Sequence, residues 1–261
     1  MDTPDNRDIQ RRSARLIRLL AKRIVFPGLN LHARQRYRIL SRNISQGDGE
    51  RWVLDAGCGN GMLSYAAWRK GNRVIGITIK EREVRGCREY YNGFLGIPET
   101  ELSFHFLDMM EVRCLERNFN EIICCEVLEH IPDDAGALRA LHEVLLPGGT
   151  LHITSPNADH PDNRNADLDP DAGGGHVRPG YSVESLTTLL AECGFRVVFS
   201  QGLGGKWRQS CNRRIIARLT QRRYLAAVLW FAAGLVLSGM DGREPSVPYV
   251  IYLRAVCNSD V

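Results

Sequence analysis

Short apolar segments rich in β-branched residues alternate with helical patterns through the middle of the chain, and this alternation limits the fold more than any other feature. The strand-like segments are 51–57, 72–79, 101–108, 119–127 and 149–156. Helical patterns occupy 61–70, 81–95 and 134–145. Strands separated by helices pair in parallel, because each helix returns the chain to the end of the sheet at which the previous strand began. We therefore predict an α/β fold with a mainly parallel sheet and helices on both faces.

The pattern continues toward the C-terminus. A helix is predicted over 182–195, with Ser182 as N-cap, Ser185 at the capping-box position and Gly194 at its end. It leads into a strand at 195–200. A last strand within 245–256 must return to the sheet beside that strand.

The segment "VLDAGCGNG", residues 53–61, joins the first strand to the first helix and holds three glycines. Ligands of parallel sheets bind at the carboxyl ends of the strands, where glycines permit close approach to the backbone. The spacing Gly57-x-Gly59-x-Gly61 is tighter than a dinucleotide-binding pattern, and Asp55 precedes it, where a pyrophosphate would be repelled. The turn therefore favours a cationic ligand, such as the sulfonium and amino group of S-adenosylmethionine (SAM).

Five segments, taken in order, resemble the class I SAM-dependent methyltransferases. They are "VLDAGCGNG", "VIGITI", "FHFLDMMEV", "IICCEVLEHIPD" and "LPGGTLHITSPN". The resemblance covers roughly residues 50–200. It implies a Rossmann-like seven-stranded sheet, SAM as the cofactor, and in-line displacement of the activated methyl group by the acceptor.

The resemblance also implies roles for residues of the glycine turn. Asp55 matches the acid near the methionine amino group of SAM. Gly57, Cys58 and Gly59 match the cradle around the cofactor.

Further cofactor-binding roles follow at the ends of the next strands. Thr78 stands where most relatives have an acid for the ribose hydroxyls, a variant that resembles cyclopropane-fatty-acid synthases and tocopherol methyltransferases. Asp108, with Met109 beside it, matches the acid that meets the adenine amino group. The backbone around Glu126 is expected to line the methionine end.

Two histidines are candidate catalytic residues. Methyl transfer to a hydroxyl group requires removal of its proton, and imidazole titrates near neutrality. His130 lies just beyond the strand that faces the acceptor, so we predict it as the general base; the alternative is a histidine that caps the following loop. His176 is the second candidate, in "GGGHVRPGYS" at 173–182, a segment that either folds over the acceptor pocket or forms an ordinary turn into the next helix.

The spacing Glu126-x-x-Glu129-His130 raises a metal site as an alternative. It resembles the metal-binding strand end of small-RNA 2′-O-methyltransferases and ubiquinone-pathway O-methyltransferases. There the two carboxylates and the imidazole would hold Mg²⁺, with His176 as a further ligand. The same residues are common in methyltransferases that need no metal, so no metal is predicted.

Positive charge is concentrated in two flanking segments. Residues 7–38 hold ten Arg and Lys and one acid, and residues 206–223 hold seven and no acid. These segments carry +16, and because the whole chain carries +4, the remainder carries −12. Basic segments of this kind attract anionic partners.

The N-terminal segment has a helical pattern over 7–24. Its apolar residues Ile9, Leu16, Ile17, Leu20 and Ile24 share one face, as in a helix that lies on a membrane surface. A helix that caps the acceptor site is the alternative. In the following helical segment, 33–40, we choose Tyr37 as the residue that closes over SAM.

Residues 224–240 form a charge-free apolar run of 17 residues. That length is at the lower limit for spanning a bilayer, and a span here would separate the last strand from the sheet. We therefore expect the run to be buried in the body, to pair with another subunit, or to enter one leaflet. The basic residues before it favour the membrane surface.

We accordingly predict an N-terminal basic helical cap (1–46), a SAM-binding core (47–201), a basic and hydrophobic helical insertion (202–244) and a final core strand (245–261). The predicted function is methyl transfer to a hydrophobic or lipid-linked small molecule, most simply at oxygen. A C-methyltransferase is the alternative within this enzyme class, and an RNA 2′-O-methyltransferase or a non-catalytic SAM-binding module is the alternative outside it.

The expected partners follow from charge and composition. They are the small-molecule acceptor, an anionic membrane surface and a second copy of the chain; nucleic acid is not expected, because the basic segments contain few aromatic residues. Eight scattered cysteines without a CxxC pair or a secretory pattern indicate reduced thiols and a cytoplasmic protein, at the inner membrane face if membrane-bound.

Overall fold

The computed structural model describes residues 6–164, 168, 175–242 and 245–258, with side chains from residue 13 onward. Part of the predicted loop at 157–176 lies outside this description, namely 165–167 and 169–174.

Seven strands of the described chain form one sheet in the order β3-β2-β1-β4-β5-β7-β6. They are Trp52–Ala56 (β1), Arg73–Thr78 (β2), Leu102–Phe106 (β3), Phe119–Cys125 (β4), Leu145–Pro156 (β5), Phe195–Leu203 (β6) and Val250–Cys257 (β7). The first five strands are parallel, and β7 is antiparallel between β5 and β6. The predicted α/β class and the return of the last strand are confirmed. Strand order reverses between β1 and β4, which opens a crevice at their carboxyl ends.

The helices flank the sheet. They are Asn6–Val25 (α1), Leu31–Asn43 (α2), Met62–Trp68 (α3), Glu81–Cys87 (α4), Asp134–Val144 (α5), Pro161–Arg164 (α6), Val183–Glu192 (α7), Lys206–Thr220 (α8) and Tyr224–Leu237 (α9). Successive strand residues point to opposite faces. Leu54 therefore belongs to the buried cluster with α5 and α7, whereas Val53 belongs to the cluster with α1–α4.

Two predicted boundaries differ in the structure. The helix expected over 81–95 is divided: α4 ends at Cys87, and a π-helical turn follows at Arg88–Phe94. Side-chain bonds to the β3 region hold this wider turn, since the Asn92 amide donates to the carbonyl oxygens of Ile97 and Leu102. Strand β5 begins four residues earlier than expected, because Leu145 pairs with Phe119 across a register shift.

The apolar run forms α9, which packs against α8 and α2 on one side only. Gly234 is the close-contact point, since a Cβ there would lie 2.6 Å from Leu31. By length and composition, Tyr224–Asp241 could cross a membrane, yet only 17% of its 18 residues are buried in the protein. Burial of this helix in the body is therefore excluded.

Candidate active site

A cleft of about 530 Å³ lies at the carboxyl ends of β1–β4, where the strand order reverses. Seven of the residues predicted from the sequence line it: Gly57, Gly59, Thr78, Asp108, Met109, Glu126 and His130. Four others do not: Tyr37, Asp55, Cys58 and His176. Volumes between about 300 and 1,000 Å³ are typical of small-molecule sites.

The two cleft glycines both have left-handed backbones, with φ +81° at Gly57 and +52° at Gly59. Their surroundings differ. A Cβ on Gly57 would lie 2.4 Å from the Val127 side chain, whereas a Cβ on Gly59 would meet no atom within 4 Å. Gly57 therefore permits close packing, and Gly59 leaves open space for a ligand.

Asp55 lies outside the cleft lining because its side chain turns toward α3. It is 2% exposed, and its Oδ2 accepts a hydrogen bond of 2.5 Å from the Ser64 hydroxyl. Burial raises the pKa of Asp55 to about 6, and the Ser64 bond opposes this rise. The pair ties the strand before the glycine turn to the helix after it. Cys58 is likewise buried, against the position of Gly76.

The end of β2 supplies a carboxylate that sequence reasoning missed. The Thr78 hydroxyl donates a hydrogen bond of 2.8 Å to Oε2 of Glu83, and Glu83 lines the cleft. Glu83 lies in α4, five residues after the strand end where most relatives carry their acid. Thr78 thus orients the Glu83 carboxylate at the end of β2, a group of the kind that accepts hydrogen bonds from hydroxyls.

Asp108 and Met109 follow β3. Oδ1 of Asp108 accepts a hydrogen bond of 2.9 Å from the Met110 amide, so this carboxylate caps the short 3₁₀ segment after the strand. Met109 is buried and Met110 is exposed, and both line the cleft. These side chains form a thioether-lined wall beside the carboxylate.

Glu126, at the end of β4, has a left-handed backbone with φ +56°, which is rare for a residue other than glycine. Its Oε1 accepts from the Thr154 hydroxyl at 3.1 Å, and its Oε2 lies 3.2 Å from Nη1 of Arg36. Helix α2 therefore reaches the site through Arg36. Tyr37, the residue chosen from the sequence, packs edge-on against Phe26 with ring centroids 5.3 Å apart.

His130, Glu129 and His176 form a cluster at the edge of the cleft. Their potential ligand atoms all lie within 4.8 Å of one another. His130 Nδ1 lies 3.0 Å from the Gly175 carbonyl oxygen, and the two imidazole centroids are 4.6 Å apart. Burial lowers the pKa of His176, and the neighbouring His130 lowers it further.

Glu129 is the unusual member of this cluster. It is 1% exposed, and both carboxylate oxygens are buried without a hydrogen-bond partner among the described residues. Burial raises its pKa well above the ordinary value, and the negative charge of Glu126 acts in the same direction. Burying a carboxylate without a partner costs free energy. Glu129 is therefore suited to hold a proton, to accept a hydrogen bond from a donor group or to bind a cation.

The segment that carries His176 is held against the loop after β4. The Val177 amide donates to the Glu129 carbonyl at 2.9 Å, and Arg178 donates to the carbonyl oxygens of Leu128 and Pro132. The described part of this segment therefore packs against the loop 128–132, and none of its described residues lines the cleft.

The residues present fit SAM as the ligand of this cleft. Gly59 leaves the space that a cofactor needs against the backbone, and the carboxylates of Glu83, Asp108 and Glu126 lie beyond the ends of β2, β3 and β4 and line the cleft. Carboxylates suit the ribose hydroxyls, the adenine amino group and the cationic methionine end, and they would repel a phosphate.

Comparisons with known proteins agree with this assignment. A family model described as a methyltransferase domain matches residues 7–199. The chain is 31% identical to O-methyltransferase cnsE of Penicillium expansum, over 65% of the chain and 60% of that protein. It is 32% identical to the ubiquinone biosynthesis O-methyltransferase of Pseudomonas paraeruginosa, over 40% of the chain and 44% of that protein. The chain thus spans about half the length of these curated relatives.

Among solved structures, the [4+2]-cyclase SpnF superimposes with a TM-score of 0.61 at 19% identity, covering 87% of this chain and 81% of that one. This likeness shows the fold alone. The assignment as a methyltransferase rests on the match to the family model. The chain belongs to the class I SAM-dependent methyltransferase family.

Proposed function

We propose that the protein transfers the methyl group of SAM to a hydroxyl oxygen of a hydrophobic small molecule, with His130 as the general base. The observation that carries this proposal is the orientation of the His130 ring. A carbonyl oxygen only accepts, so the contact of Nδ1 with Gly175 places the proton on Nδ1 and leaves Nε2 of the neutral ring free to accept one.

Oxygen as the methylated atom is supported by the relatives. The fungal and the bacterial relative are both named O-methyltransferases. A hydroxyl acceptor must lose a proton during transfer, and His130 lines the cleft where that proton would be released.

A hydrophobic acceptor is supported by the walls near His130. Val127, Ile131 and Pro132 line the cleft on this side, and Met110 lines it from the 3₁₀ segment after β3. Such surfaces orient an apolar molecule and exclude water from its hydroxyl group. When bound, SAM supplies a methyl group already activated by its sulfonium.

A test of this proposal uses a catechol with a long alkyl chain as the acceptor and methyl-labelled SAM as the donor. We expect a labelled methyl ether, identified by mass spectrometry and NMR. Label attached to a ring carbon would replace the proposal with the C-methyltransferase alternative.

A second candidate mechanism, with a bound metal ion, is favoured by one observation, the unpartnered carboxylate of Glu129. Glu129, His130 and His176 would hold a divalent cation that orients the acceptor oxygen. Glu126 already pairs with Arg36, so the donor set has two imidazoles and one carboxylate. Such a set suits Mn²⁺ or Zn²⁺ better than the Mg²⁺ considered from the sequence.

Chelation separates the two candidates. Protein dialysed against EDTA should retain full activity if His130 acts as a base alone. Activity that is lost on dialysis and restored by Mn²⁺ or Zn²⁺ would establish the metal. A cation-dependent rise in melting temperature that is absent in His176→Ala would support the same conclusion without an activity measurement.

A further inference from the structure

We propose that the protein docks on an anionic membrane surface through exposed apolar stripes on α9 and α1. The stripe on α9 follows the helical repeat and contains Leu225, Val228, Leu229, Ala232, Leu235 and Val236. All six residues are exposed, and Leu225 and Val236 have 75% of their surface in contact with solvent. A helix of a water-soluble domain normally turns its polar face outward, and this stripe has no polar residue.

Helix α1 is oriented in the same unusual way. Arg18 Nη2 lies 2.8 Å from Glu89, Arg15 pairs with the same carboxylate, and Lys22 lies 4.1 Å from the Tyr90 ring centroid. These contacts and the buried Leu19 lie on the side of α1 that meets the body, where the Arg15 and Arg18 side chains remain 63% and 70% exposed. The opposite face, composed of Leu16, Ile17, Leu20 and Ile24, is exposed.

Arg34 bridges the two helices that carry the stripes. Its Nη1 donates to the carbonyl oxygens of Val25 and Phe26 at the end of α1, each at 3.3 Å. The same guanidinium lies 5.1 Å from the Phe231 ring centroid of α9. Arg34 therefore contacts both the end of α1 and the middle of α9.

Helix α9 is suited to lie on a bilayer and not to cross it. Its 14 residues extend about 21 Å, so the helix reaches the roughly 30 Å thickness of the hydrocarbon core only together with the 3₁₀ turn Ser238–Asp241. The chain beyond it is bound to the start of α8, where Asp241 accepts from the Trp207 and Arg208 amides at 2.8 and 2.9 Å. The helix also remains packed against α8 and α2 through Gly234.

Charge selects an anionic lipid surface over a second copy of the chain. Residues 206–240 contain seven Lys and Arg and no Asp or Glu. Arg222 and Arg223 are exposed at the turn that leads into α9. Helix α9 offers no acidic residue that could pair with these charges in a second copy, whereas anionic headgroups would neutralise them.

Vesicle co-sedimentation of the full chain tests this proposal. Phosphatidylcholine vesicles with and without about 30% phosphatidylglycerol serve as the probes. We expect binding to the anionic vesicles only, and weaker binding as NaCl rises from about 0.05 to 0.5 M, because salt screens surface charges. Leu229→Asp/Val236→Asp should reduce binding by about tenfold or more, since it places two charges in the stripe.

Val183→Asp is the matched control. Val183 is 42% exposed at the start of α7, which packs on the other face of the sheet. Arg222→Glu/Arg223→Glu provides an independent variant that leaves the stripe intact and should also weaken binding to anionic vesicles. Circular dichroism and SAM titration establish that each variant is folded.

Three outcomes would overturn the proposal. In the first, wild-type protein ignores anionic vesicles. In the second, the stripe variant binds them as well as the wild type does. In the third, the wild type is a dimer that Leu229→Asp/Val236→Asp converts to a monomer, which would make the stripe a subunit interface. SAM binding is independent of all three, so failure here leaves the proposed methyl transfer intact.

Discussion

The Thr78 hydroxyl donates to the Glu83 carboxylate over 2.8 Å, and both side chains line the cleft at the end of β2. We infer that the acid on the following helix takes the place of an acid at the strand end. The substitution of Thr for an acid at that strand end therefore does not remove the carboxylate from the site.

We predict that Glu83→Ala weakens SAM binding by about tenfold or more, because a charge-assisted hydrogen bond contributes roughly 1.5–3 kcal/mol. Turnover at saturating SAM should change little. Calorimetric titration measures the affinity. Glu81→Ala, an exposed acid in the same helical turn, is the control and should bind SAM normally. Equal affinities for the two variants would remove Glu83 from the site.

The two cleft glycines should respond differently to alanine. Gly59→Ala should keep the protein folded, at a cost of about 1–2 kcal/mol for the left-handed backbone, while its methyl group obstructs SAM. Gly57→Ala should lower the melting temperature more, because its Cβ would lie 2.4 Å from Val127. Thermal unfolding and SAM titration of both variants test this difference. A Gly59→Ala protein with normal SAM affinity would contradict the assigned cleft.

The buried Asp55 should make stability depend on pH. Its folded pKa of about 6 exceeds the ordinary value of 3.8, so the folded chain holds a proton that the unfolded chain releases between these values. Stability therefore falls as pH rises from about 4 to 6, by about 3 kcal/mol from this group. Denaturant unfolding at several pH values should show this fall in wild type relative to Asp55→Asn. A pH-independent difference between the two proteins would contradict it.

Much of this arrangement was predictable because local patterns determine it. The capping box of Ser182 and Ser185 is present as predicted, since it depends on residues three positions apart. Glu83 and Arg36 were missed as site residues because their roles arise from contacts between distant elements. The sequence also did not predict which face of α9 is exposed, because a helix that is apolar on all sides has no polar side to indicate its orientation.

His130→Ala should lower turnover by roughly a hundredfold or more if His130 is the general base, with SAM affinity little changed. Steady-state assays with the alkyl catechol and calorimetry separate the two effects. His105→Ala is a suitable control, because that half-buried imidazole on β3 contacts Ser103 and lies outside the cleft lining. Near-normal turnover in His130→Ala would leave His130 with a structural role only.

The most direct test of the account is a crystal structure of the protein with S-adenosylhomocysteine. We expect the ribose hydroxyls on the Glu83 carboxylate and the adenine amino group near Asp108. The sulfur should face the side of the cleft on which Nε2 of His130 lies. A ribose held by other residues, or a sulfur separated from His130 by the protein, would contradict the account.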